Sequence, residues 1–192
     1  MARILVLYGT TEGDTARVAD SIGATLRAHG DMADVVQASR PGPSPEDYSG
    51  IVIAASVHGG RYQTAVRRWV RMHAAVLGSK PTAFVSVCLG VLQHDPVVDR
   101  ELAAIMARLL QDTGWRPMMT KIVAGALLYT QYGWLKRWLM KRIVAKARGD
   151  TDTRRDYEYT DWNDLRAFVE EFADRVRMST AVAARPSTTQ VA

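Results

Sequence analysis

The chain contains a single cysteine, Cys88, among 192 residues. No disulfide can form within it, and a structural zinc site of the multi-cysteine kind is excluded. With no second thiol to resolve a redox cycle, Cys88 is not read as a redox nucleophile. Histidine is also scarce, at four residues. His29 and His73 fall on expected helices without acidic or cysteine company, so no metal site is expected. Long apolar runs are missing too: no stretch approaches the roughly 18 residues of a spanning helix. The short apolar run after Met1, Ala2 and Arg3 ends in a turn, so no signal peptide is expected. Cysteine usage and the lack of a leader fit a reducing, cytoplasmic setting. Acidic residues are the minority charge, 20 against 25 lysines and arginines, for a formal net charge of +5. This balance favours an anionic membrane surface, an acidic small molecule or nucleic acid. No nucleic-acid recognition motif accompanies the charge, and no nucleic-acid partner is expected.

Near-continuous apolar runs alternate with helix-patterned segments. Residues 4–8, 33–37, 51–56, 82–88 and 121–124 read as strands; residues 15–29, 64–77, 97–113 and 161–177 read as helices. Gly30 is placed to end the first helix in a left-handed conformation. Five apolar strands with intervening helices imply an α/β fold, a parallel sheet covered on both faces. One domain is expected over residues 1–177, with an insertion at about 127–159. Residues 178–192 lack periodicity and read as a disordered tail.

The first turn carries the strongest chemical signal. Tyr8 is followed by Gly9, Thr10, Thr11, Glu12, Gly13, Asp14 and Thr15, which run straight into a helix. The free N–H groups and dipole of a helix N-terminus favour an anion. No lysine follows Gly13, so this is not a P-loop, and the glycine spacing is not that of the dinucleotide fingerprint. Neutral hydroxyls in place of cations suit a monophosphate; Thr and Asp here could equally serve as ordinary helix caps.

This loop resembles the phosphate loop of flavodoxins. The resemblance implies a doubly wound, five-stranded parallel sheet of order 2-1-3-4-5, with FMN at the carboxyl ends of the strands. It implies FMN contacts at Thr10, Thr11, Glu12, Gly13, Asp14 and Thr15. Glu12 would contribute only its backbone N–H, and Asp14 would cap the helix. By the same resemblance, Ser56, Val57, His58, Gly59 and Gly60, and Ser86, Val87, Cys88, Leu89 and Gly90, would wrap the isoalloxazine. Tyr62 is a candidate for stacking on a flat ring. His58 is the candidate catalytic residue, a donor to flavin or substrate, or else a solvent-facing loop histidine. His94 beside Asp95 suggests a general-base pair, but Asp95 is more simply a helix N-cap.

The insertion narrows the resemblance. Its helical portion, residues 134–148, sets Trp134 and Trp138 among Arg137, Lys141 and Arg142. That arrangement suits an anionic headgroup layer or an anionic substrate; the alternative is a surface helix whose rings pack under loops. Gly125-Ala126-Leu127-Leu128-Tyr129, this basic aromatic helix, Thr151-Asp152-Thr153-Arg154, Tyr159-Thr160-Asp161-Trp162 and the upstream Gly114-Trp115-Arg116-Pro117 together resemble the quinone-dependent protoporphyrinogen dehydrogenase branch of the flavodoxin-like proteins. That resemblance implies an FMN-dependent dehydrogenase that oxidises a porphyrinogen and passes electrons to a membrane quinone as a peripheral membrane protein. Arg154 could meet substrate propionates or pair with Asp152. The competing readings are a flavin or deazaflavin quinone reductase with another donor, and an electron-transfer module without small-molecule turnover.

Overall fold

The computed structural model describes residues 1–10, 13–93, 95–127 and 157–183. Five strands, β1 (Arg3–Gly9), β2 (Met32–Gln37), β3 (Gly50–Ser56), β4 (Thr82–Val87) and β5 (Met119–Val123), form an all-parallel sheet of order β2-β1-β3-β4-β5. The helices between them are α1 (Asp14–Ala28), α2 (Thr64–Met72), α3 (Ala74–Ser79) and α4 (Pro96–Thr113), and α5 (Trp162–Ala183) closes the described chain.

Side chains alternate across each strand, and both faces are dry. Ile4 and Val6 join Val52, Val85 and the inner faces of α1 and α5, including Ile22, Leu26, Val169 and Phe172. Leu5 and Leu7 face the other way, with Ile51, Ile53, Phe84, Val66, Trp69 and Trp115. This two-sided burial is why the strands read as unbroken apolar runs instead of an apolar–polar alternation.

α1 ends as expected. The Gly30 N–H donates to the Arg27 carbonyl and the Asp31 N–H to the Leu26 carbonyl, both at 3.0 Å, the paired bonds of a glycine-terminated helix. Asp95 caps α4, accepting from the Val97 N–H at 2.8 Å. Asp161 caps α5, accepting from the Asn163 and Asp164 N–H groups at 3.1 and 2.9 Å.

Three expectations are corrected. The helix expected over 64–77 is broken at His73 (φ −110°), whose ring packs on Trp69 at 4.6 Å and fills the joint between α2 and α3. β5 begins two residues earlier than residue 121, because the Met118 N–H already bonds the Thr82 carbonyl. As an edge strand it needs no apolar residue at Thr120. The last helix runs to Ala183, six residues beyond its expected end, so Met178 to Ala183 do not belong to an unstructured tail. Within this extension the Thr180 hydroxyl donates to the Val176 carbonyl at 2.9 Å, a contact across one helical turn.

A second, two-stranded antiparallel sheet pairs β6 (Ala126–Leu127) with β7 (Tyr157–Glu158). These strands are the two roots of the expected insertion, held side by side. The basic helix expected at 134–148 and residues 151–154 lie outside the described residues.

Candidate cofactor site

β1 and β3 are neighbours, yet β2 intervenes in the chain. Successive crossovers therefore leave the β1 edge in opposite directions and open a crevice at the carboxyl ends of these strands. Three loops meet there. Gly9 pairs with Ala55 at the end of β3, and Ser56 with Val87 at the end of β4. Beyond the strands, the Val57 N–H donates to the Val87 carbonyl at 3.1 Å and the Cys88 N–H to the Val123 carbonyl at 2.9 Å. The described parts of the candidate segments, Thr10, residues 13–15, 56–60 and 86–90, thus share one edge.

In the first loop, Thr10 Oγ1 accepts the Gly13 N–H at 2.8 Å. Gly13 (φ 92°) is the N-cap of α1 and supplies no side chain, so Asp14 does not cap the helix as expected. Its Oδ2 instead accepts the N–H of Ala126 at 2.9 Å. Thr15 is 1 % exposed, and its hydroxyl has no hydrogen-bond partner among the described residues. A buried hydroxyl left unbonded is costly unless a ligand completes it. Set in the first turn of a helix, where N–H groups lack intrahelical acceptors, it fits a phosphate oxygen. Thr11 and Glu12 lie outside the described residues.

The second loop is a two-residue turn. His58 and Arg61 exchange both backbone bonds, N–H to carbonyl at 2.8 and 3.1 Å, across Gly59 (φ 54°) and Gly60 (φ 73°). Two successive positive φ angles make glycine the fitting residue at both corners. Ser56 accepts from Gln63 Nε2 at 2.7 Å. A Cβ on Gly9 would collide with Val66, with Gln63 Oε1 at 3.2 Å. Gln63 therefore spans from the end of β1 to the end of β3. Sequence reasoning missed it, since nothing but its place before α2 marks it.

In the third segment, Ser86 and Val87 face inward. The Ser86 hydroxyl is 2.8 Å from the Tyr62 hydroxyl inside the core, and Val87 is buried on the α1 side. Cys88, Leu89 and Gly90 follow, the last two in a 3₁₀ turn (Leu89–Gln93). Burial pushes the Cys88 thiol up, and hydrogen bonding with the Gly90 backbone offsets this only partly. Tyr62 is corrected as a stacking candidate. It is 4 % exposed, packs edge-on against Phe84 at 5.1 Å, and burial raises its phenol to about 12.

His29, expected to lack acidic company, lies 3.8 Å from Asp31 and 3.7 Å from Asp174. The fold brings these carboxylates from the chain after α1 and from α5. Among the described residues no His, Cys, Asp and Glu side chains form a metal-binding group. Nor is any described helix long and apolar enough to cross a membrane. His94, Trp134, Arg137, Trp138, Lys141, Arg142 and Arg154 lie outside the described residues.

A doubly wound sheet whose first crossover opens on a hydroxyl-bearing helix N-terminus is the architecture of the flavodoxin class. A family model described as "Flavodoxin domain" matches residues 5–154. Protoporphyrinogen IX dehydrogenase (quinone) of Escherichia coli K12 is 35 % identical over 89 % of this chain and 94 % of its own length. The protein of the same name from Leishmania major is 30 % identical over 98 % of this chain and 81 % of its own. A flavodoxin from the domain Archaea superposes with a TM-score of 0.53 at 12 % identity, covering 91 % of this chain and 99 % of its own, a likeness of fold alone. The chain belongs to the flavodoxin-domain family and, within it, to the oxidoreductases grouped with these protoporphyrinogen IX dehydrogenases.

Proposed function

We propose that the chain binds FMN in this crevice, oxidises protoporphyrinogen IX and delivers the electrons to a quinone at a membrane surface. The observation that carries the FMN assignment is the buried, unbonded Thr15 hydroxyl in the first turn of α1. Family membership supports the substrate and acceptor. Thr10, Thr15 and the backbone of residues 11–14 would hold the phosphate through neutral donors. The backbone of Val57 to Gly60 and of Cys88 to Gly90 would flank the ring, with no large side chain on Gly59, Gly60 or Gly90 to obstruct it. Bound FMN supplies the capacity to take two electrons from a reduced carbon skeleton and give them to a quinone.

The residues then act as positioners. Gln63 ties Ser56 to the β1 end and fixes the crevice width. The 58–61 turn holds its shape by its own paired bonds. His58 at its base is the candidate donor to flavin or substrate. Asp14 and Arg17 anchor the roots of the insertion beside the phosphate loop: Asp14 holds Ala126, and Arg17 pairs with Glu158 at 2.9 Å. This attachment supports a role for Trp134, Arg137, Trp138, Lys141, Arg142 and Arg154 in membrane or substrate contact, with a cytoplasmic, membrane-peripheral setting.

The test is reconstitution with FMN followed by anaerobic addition of protoporphyrinogen IX and menaquinone. Flavin bleaching by the porphyrinogen and recovery of the oxidised spectrum with menaquinone is the expected result. Flavin that binds but is reduced only by a nicotinamide or a deazaflavin would overturn the substrate assignment. Failure to take up FMN would overturn the reading at its base.

A further inference from the structure

The 58–61 turn also borders a second hollow, through Gly60 and Arg61. This cavity, of about 180 Å³, lies between that turn, α2 and α4. Arg61, Arg67 and Arg108 line it against a single carboxylate, Asp112, while Ile105 and Leu109 supply apolar wall. Asp112 pairs with Arg67 at 3.4 Å. Among the described residues Arg61 and Arg108 have no ion pair, and both are exposed. Arg67 is shared with an adjoining groove of about 300 Å³ that also presents Arg68 and Arg71. α2 carries no acidic residue to offset them.

Concentrating like charges in one hollow raises the electrostatic free energy of the empty protein. A bound anion lowers it, and guanidinium forks match carboxylate oxygens in pairs. Inorganic anions would need no apolar wall. A flat headgroup layer would not require a concavity either. Arginines that share a hollow with Ile105 and Leu109 suit a carboxylate on a short hydrocarbon arm. The cavity shares Gly60 with the loop that flanks the candidate ring site, so such an arm would belong to a molecule presented to that ring.

We infer that Arg61, Arg67 and Arg108 form a carboxylate subsite that grips a propionate arm of the tetrapyrrole substrate; the identity of the arm rests on the function proposed above. Arg61 and Arg108 are specificity-determining residues. They orient an acidic substrate and leave the redox chemistry to the coenzyme.

The test uses the full-length holoprotein and the double variant R61Q/R108Q, both positions being exposed and outside the core. Fluorescence titration with protoporphyrin IX, and separately with its dimethyl ester, reads binding without turnover. The diacid should bind the variant at least tenfold more weakly than the wild type, whereas the ester should bind both alike. KM for protoporphyrinogen IX should rise at least tenfold with kcat within twofold. R100Q/R116Q, which removes the same charge outside the cavity, should match the wild type. Unchanged diacid affinity and KM in R61Q/R108Q, or an equal loss in R100Q/R116Q, would overturn the subsite. So would loss of binding to phosphatidylglycerol vesicles with diacid binding intact, which would make the patch a lipid contact. Arginine-dependent diacid binding by a wild type that does not oxidise the porphyrinogen would keep the subsite and reject the proposed reaction. A wild type that neither binds nor oxidises would reject both.

Discussion

Asp14 and Ala126, 112 residues apart, are joined by a hydrogen bond of 2.9 Å from the Ala126 N–H to the Asp14 carboxylate. The bond fastens the first root of the insertion to the first turn of α1. Gly125, immediately before Ala126, has φ 77°. A Cβ there would collide with Asp14 Oδ2 and lie 2.8 Å from Val87 Cγ1. The start of α1, the end of β4 and the insertion root therefore meet at one point.

Gly125→Ala should destabilise the protein by more than about 2 kcal/mol, through the left-handed backbone and the overpacking together. Asp14→Ala should cost about 1–3 kcal/mol, because it leaves the half-buried Ala126 N–H without its acceptor. Urea denaturation at neutral pH measures both. A change below about 0.5 kcal/mol for Gly125→Ala would show that the junction relaxes freely.

Thr15→Val should separate stability from binding. The substitution keeps the shape and removes a buried hydroxyl that has no partner. The apoprotein should gain about 1 kcal/mol, while affinity for FMN should fall about tenfold, as expected for one hydrogen bond of roughly 1.4 kcal/mol to a charged phosphate. Isothermal calorimetry with FMN and thermal unfolding without it give the two signs. Loss of apoprotein stability would mean that the hydroxyl already has a partner.

Cys88 should be slow to react. Its thiol is raised above the ordinary value by burial, and only the thiolate attacks disulfide reagents. At pH 8 the folded protein should react with Ellman's reagent at least tenfold more slowly than the urea-unfolded chain. Cys88→Ala should retain FMN uptake, since the segment's proposed contribution is its backbone. A folded-state rate equal to the unfolded one would contradict the burial argument.

Acid should weaken one peripheral cluster. The Tyr48 hydroxyl donates to Asp34 Oδ2 at 2.7 Å and Arg3 reaches the same oxygen at 2.8 Å. The Tyr48 bond, and then Arg3, hold the Asp34 carboxyl below its ordinary value despite some desolvation. Its folded pKa is depressed, so the stabilisation is complete above the unfolded value of about 3.9 and fades as pH falls below it. Tyr48→Phe should cost about 1 kcal/mol at pH 7. The gap from wild type should shrink between about pH 4 and pH 2.5. Urea titrations across that interval supply the check; a pH-independent gap would remove Asp34 from the account.

The strands were legible because a sheet covered on both faces demands apolar residues at every position. The run from Ile4 to Leu7 therefore announces itself without any alternation. Helix ends were legible where one residue type carries the geometry, as at Gly30 and Asp95. The edge strand β5 was misjudged at its start, because half-exposed residues such as Thr120 carry no apolar signal. The break at His73 was hidden because no proline or glycine marks it; a ring packed at a tilt against Trp69 does. In the candidate site, the threonines and glycines of the loops could be found from residue type and order. The contacts of Asp14 with Ala126, Tyr62 with Ser86 and His29 with Asp174 could not, because each partner lies on another segment.

Local chemistry in the chain determined that there would be a parallel α/β sheet, that its first turn would present neutral hydroxyls at a helix N-terminus, and that the molecule would carry excess positive charge. Those properties follow from periodicity, propensity and composition, which act over a few residues. Only folding decided that Asp14 would grip Ala126 instead of capping its own helix, that Tyr62 would turn into the core toward Ser86, and that Arg61, Arg67 and Arg108 would enclose one cavity. Each of these depends on which distant segments the sheet order brings within hydrogen-bonding distance, and no local pattern encodes that distance.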